Sequence, residues 1–86
     1  MSLPIPDVVR SDEDAVELVR VWAASGKLHI SIATSVWEDP AAWGIMIVDL
    51  AKHVARAYEL GESADYQQTL SRIKSGFDAE WGSSTG

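Results

Sequence analysis

One run of the chain restricts its fold more than any other. From Lys27 to Trp37 apolar and polar residues alternate with a period of two. Leu28, Ile30, Ile32, Thr34 and Val36 take one side, and His29, Ser31, Ala33, Ser35 and Trp37 take the other. β-branched residues are frequent, and no glycine, proline or asparagine interrupts the run. The pattern predicts one strand over residues 27–37, roughly 36 Å long. A strand carries backbone donors and acceptors along both edges, and burying them unpaired is costly. An open, uncharged edge invites aggregation, and this one has neither an internal proline nor an internal lysine to blunt it. Val8-Val9 is too short, and too close to Pro4 and Pro6, to cover that length. A second copy of the strand, antiparallel across a two-fold axis, covers one edge completely. The expectation is a homodimer joined through residues 27–37.

The flanking segments read as helices. Ser11 stands before Asp12, Glu13 and Asp14, where a helix N-terminus favours negative charge. Ala15, Leu18, Val19 and Trp22 then repeat at helical spacing, and Gly26 supplies the left-handed stop. After the strand, Asp39-Pro40 is a good helix opening. Trp43, Met46, Ile47, Leu50, Val54, Ala57 and Tyr58 form one stripe of a helix that ends at Leu60-Gly61. Ile45 and Val48 add a second apolar face, so its first half should be enclosed on more than one side. Ser63 opens a third helix with a stripe of Tyr66, Leu70, Ile73, Phe77 and Trp81. The fold class expected is α+β, in the order helix, strand, helix, helix, with three helices packed on the sheet. Residues 1–10 read as an extended lead-in, residues 11–81 as a single domain and residues 82–86 as a disordered tail.

Composition narrows the function classes. A chain of 86 residues folds as one domain at most, near the size where a single core suffices only marginally. There is no cysteine, so disulfides, thiolate nucleophiles and thiolate metal ligands are excluded. The net charge of −6 is dispersed: residues 1–25 contribute −3, residues 26–60 −1 and residues 61–86 −2. With no basic patch, nucleic acid is not an expected partner. The first residues lack the basic and long apolar regions of a signal peptide, and no run is apolar enough to span a membrane. The reading is cytoplasmic.

Few residues carry candidate chemistry. His53 follows Asp49 by one helical turn, but two ligands do not make a zinc site. Glu38 and Asp39 put two carboxylates beside Trp37, where helix capping is the simpler role. The six glycines are scattered, and no phosphate-binding loop is present. His29, Ser31, Ser35 and Trp37 share one strand face and form the candidate ligand-binding set. The serines lie in a regular strand without the sharp turn that exposes a catalytic serine. No catalytic residue, metal or cofactor is expected.

The segments Leu28-His29-Ile30-Ser31-Ile32-Ala33-Thr34 and Trp37-Glu38-Asp39-Pro40-Ala41-Ala42-Trp43-Gly44 resemble a family of small uncharacterised bacterial proteins, a domain of unknown function. The resemblance covers most of residues 4–81 and implies no activity or site residues. The function expected is a non-enzymatic, homodimeric binding or interaction module. The alternative is a small-ligand binder or minor enzyme using the His29/Ser31 face, and a third reading is an accessory subunit of a larger assembly.

Overall fold

A computed structural model of the chain describes residues 3–83. Its elements are α1 (Asp7–Ser11), β1 (Val19–Ala24), β2 (Lys27–Ile32), α2 (Ala41–Glu62) and α3 (Tyr66–Trp81). Helices and an antiparallel sheet make the class α+β. The chain divides into two units, Met1–Glu38 and Asp39–Gly86.

The first unit departs from the expected element order. The helix expected to run from Ser11 to Gly26 does not form. Ser11 ends α1, and its hydroxyl donates to the Val8 carbonyl at 3.2 Å. α1 itself occupies part of the lead-in expected to be extended, with Arg10 paired to Asp7 at 2.8 Å. The Asp12 carboxylate accepts the Asp14 N–H at 2.9 Å, a local turn that leads away from helix. β1 then runs antiparallel to β2 in the register Val19↔Ile32, Val21↔Ile30 and Ala23↔Leu28, interleaved with Arg20↔Ser31, Trp22↔His29 and Ala24↔Lys27. Ser25 and Gly26 join the strands at φ 54° and 73°. Positive φ at both central residues is what a type I′ hairpin turn requires, because its twist matches that of the strands it joins. The left-handed conformation expected of Gly26 is present, in a hairpin rather than at a helix end.

Two further expectations change with the hairpin. An intrachain strand pairs with β2 along its whole length, so Val8-Val9 was not the only internal candidate. β2 also stops at Ile32 instead of Trp37. The last rung is Ala33 N–H to the Leu18 carbonyl at 2.9 Å, and beyond it the partner strand ends. A strand lasts only as long as the ladder that satisfies it.

The second unit is a helical hairpin. The Asp39 carboxylate accepts the Ala41 N–H at 2.9 Å from one residue ahead of the N-cap position, which Pro40 holds. α2 continues through Gly61 to Glu62. Its stop is Ser63, at φ 55°, with the Ala64 N–H returning to the Tyr58 carbonyl at 3.4 Å. Ser63 therefore closes α2 and does not open α3. That task falls to Asp65, whose carboxylate accepts the Gln68 N–H at 2.8 Å. Ala51 and Ala55 lie one turn apart on the side of α2 that meets α3. Ala55 is 0% exposed. Beside it the Arg56 guanidinium sits 4.1 Å from the centre of the Tyr66 ring and pairs with Glu59. Farther along, the Phe77 and Trp81 rings stack at 5.6 Å. Gly82 closes α3 through its N–H to the Asp78 carbonyl at 3.1 Å. The rest of the expected tail, residues 84–86, lies outside the described residues.

Candidate functional site

The hairpin sorts its side chains by strand parity. Val19, Val21, Ala23, Leu28, Ile30 and Ile32 share one face, all of them apolar. Arg20, Trp22, Ala24, Lys27, His29 and Ser31 share the other. Ion pairing with Glu17 at 2.6 Å holds the Arg20 guanidinium above its ordinary pKa, chiefly through the hydrogen bond between them. His29 lies opposite Trp22, and its Nε2 bonds the Ala24 carbonyl at 3.0 Å. This bond turns the ring along the strand.

Of the sequence-predicted set, only His29 and Ser31 stay on one strand face. Ser35 and Trp37 fall in the turn-rich segment after β2, where strand parity no longer aligns them with the others. Trp37 is half-buried and Ser35 exposed. Ser31 borders a shallow cavity of about 210 Å³ with Glu17, Leu18, Val19, Arg20, Ile32 and Ala33, and His29 is not part of it. The imidazole is exposed.

Elsewhere, His53 Nδ1 bonds the Asp49 main-chain carbonyl at 2.8 Å. The ring is thus turned to the backbone of the preceding turn. No group of three or more histidine or acidic side chains that could hold a metal ion occurs among the described residues. No described helix is long and apolar enough to cross a membrane.

A surface that strand reasoning missed lies on the helical unit. Ile47, Leu50 and Val54 of α2 and Leu70, Ile73 and Phe77 of α3 line an open apolar cleft of about 900 Å³. Lys52, Lys74 and Asp78 also border it, and Lys74 pairs with Asp78 at 2.8 Å. The signal was present in α2, whose apolar residues cover more than one neighbour needs. A helix packed on one side wants a stripe of about 100°. Ala51 lines the cleft and Ala55 is buried, while Leu50 and Val54 each lie about 100° round the helix from the alanine that follows.

A β-hairpin and a helical hairpin, both amphipathic, make this a small α+β protein. The chain belongs to the family of the domain of unknown function DUF5076, whose model matches residues 2–85. It is also similar, at 36% sequence identity and a TM-score of 0.77, to a solved structure described as that of "a putative pyruvate dehydrogenase from the photosynthetic bacterium Rhodopseudomonas palustrus CGA009". The match covers 98% of this chain and 85% of that one. No curated protein matches the chain.

Proposed function

We propose that the protein is a non-enzymatic interaction module that acts in the cytoplasm as a homodimer joined through the strand in residues 27–37. The observation that carries this reading is the apolar face of the hairpin, which no described residue of its own unit covers. Leu28 is 69% exposed and Ile30 54% exposed, and Val21 and Ile32 are similarly open. An isolated two-stranded hairpin is marginal in water, and a sheet with an apolar face needs three or more strands or a packed helix to stand alone. A second copy widens the sheet and adds apolar neighbours. The exposed setting of His29, outside the cavity that Ser31 borders, favours an interaction surface over the small-ligand or enzymatic use of the His29/Ser31 face, because a ligand site is usually concave. The dispersed acidity and the lack of a basic patch speak against nucleic acid as a partner. Sedimentation equilibrium at micromolar concentration tests the reading: the expected mass is twice that of the 9.4 kDa chain, and a monomer across that range would overturn it.

The dehydrogenase name given to the Rhodopseudomonas relative favours a second reading, an accessory subunit of a larger enzyme assembly. An acidic surface can steer a basic partner. Affinity purification from the native host distinguishes the two. A dehydrogenase recovered in stoichiometric amount supports the accessory role, and the chain recovered with itself alone supports the homodimer.

A further inference from the structure

Backbone groups on the two edges of the hairpin are not equivalent, and the register tells which residues point outward. In an antiparallel pair, opposed residues alternate between those that exchange hydrogen bonds and those that do not. The Ala33 N–H to Leu18 carbonyl bond fixes the phase. Arg20↔Ser31, Trp22↔His29 and Ala24↔Lys27 are then the bonded pairs. The N–H and C=O groups of Leu28, Ile30 and Ile32 point away from β1, toward the open edge of β2. Those of Val19, Val21 and Ala23 point to the open edge of β1.

We propose that β2 pairs with β2 of a second copy about a two-fold axis at Ile30, so that Ile30 opposes the partner's Ile30 and Leu28 opposes the partner's Ile32. The inference rests on the homodimer reading and specifies its register. The outward-facing groups of β2 meet their own copies in reversed order and satisfy one another. The side chains agree: the facing pairs join large aliphatic residues, the favourable kind of cross-strand contact. The edge of β1 is a poorer match. Self-pairing about Val21 would set Val19 against Ala23, and Arg20, held by Glu17, places charge along that edge. Leu28 to Trp37, by contrast, contains no charged residue.

This register has a consequence for the polar face. His29 falls opposite the partner's Ser31 in a pair that exchanges no backbone bonds, where side chains approach most closely. A row of Trp22, His29, the partner's Ser31 and the partner's Arg20 then crosses the sheet, and the two-fold repeats it. Each copy completes the other's row, so the polar surface offered to a further partner exists only in the dimer.

The chain has no cysteine, so one introduced thiol is a clean probe. In Ile30→Cys the two thiols sit on opposed residues with Cα atoms about 5.5 Å apart, within the usual disulfide range of about 4.4–6.8 Å. Mild oxidation should give a covalent dimer on a non-reducing gel, and Val21→Cys should give none. Ile30→Pro removes an outward donor while sparing the ladder inside the chain. It should raise the dimer dissociation constant about 30-fold or more. Crosslinking through Cys at position 21 instead of 30 would overturn the register. A wild-type dimer by sedimentation that crosslinks at neither position would also overturn it, leaving the homodimer reading intact. A wild-type monomer would overturn both.

Discussion

Ala55→Leu should destabilise the helical hairpin by filling space that α2 and α3 do not leave. Ala55 is fully buried. Ala51, one turn earlier, lines the cleft with Leu70 and Ile73, and Arg56 beside it stacks on Tyr66, so the Ala55 methyl group points at α3. Leucine there must push the helices apart or adopt a strained rotamer, at a cost of about 1–3 kcal/mol. In a domain of this size each kcal/mol moves the melting temperature by about 4–8 °C, so the midpoint should fall by roughly 5–20 °C. Thermal unfolding followed by far-ultraviolet circular dichroism reads the change. Protein concentration must be held fixed, because a dimer melts at a concentration-dependent temperature. Ala79→Leu, on an exposed part of α3, is the control and should stay within about 0.5 kcal/mol. A midpoint within a degree of wild type for Ala55→Leu would show that the helices do not meet at Ala55.

Other substitutions test other parts of the account. Ile73→Ala removes a half-buried member of the α3 stripe and should cost about 1–2.5 kcal/mol in a urea melt; a loss under about 0.5 kcal/mol would remove it from the packed face. Asp65→Ala should cost about 0.5–2 kcal/mol and Asp65→Asn much less, since asparagine still accepts the Gln68 N–H; equal losses would show that the cap is not the cause. Gly26→Ala meets no atom within 4 Å, so any loss reports backbone strain at φ 73°, about 1 kcal/mol; an unchanged melting temperature would contradict the type I′ turn. Duplex DNA at physiological salt should not be retarded by micromolar protein, and a salt-sensitive shift at submicromolar concentration would contradict the reading of the charge pattern.

The helical unit was largely legible in the sequence because its signals are local. The Tyr66, Leu70, Ile73, Phe77 stripe needs only its own spacing to be read, and the Asp39 carboxylate needs only the next two residues to bond the Ala41 N–H. Ser63 and Asp65 compete as caps two residues apart, and the left-handed φ at Ser63 settles that Asp65 opens α3. β1 was misread because Ala15, Leu18, Val19 and Trp22 fit a helical stripe while Val19, Val21 and Ala23 fit strand alternation equally well. Pairing with β2, a non-local interaction, decides between them. Ser25-Gly26 carried the missing signal: two turn-forming residues between apolar runs mark a hairpin, yet a left-handed glycine also ends helices. Of the candidate site, His29 and Ser31 were placed on one face correctly, and Ser35 and Trp37 were not because the strand ends with its partner.

Amide hydrogen exchange at residue resolution tests the β2-edge dimer most directly. The N–H groups of Leu28, Ile30 and Ile32 face away from β1, so nothing in the hairpin itself protects them. In a dimer paired through β2 they should exchange slowly at high protein concentration and speed up on dilution, while those of Val19, Val21 and Ala23 exchange fast throughout. Fast exchange at Leu28, Ile30 and Ile32 under conditions where sedimentation shows a dimer would contradict the account.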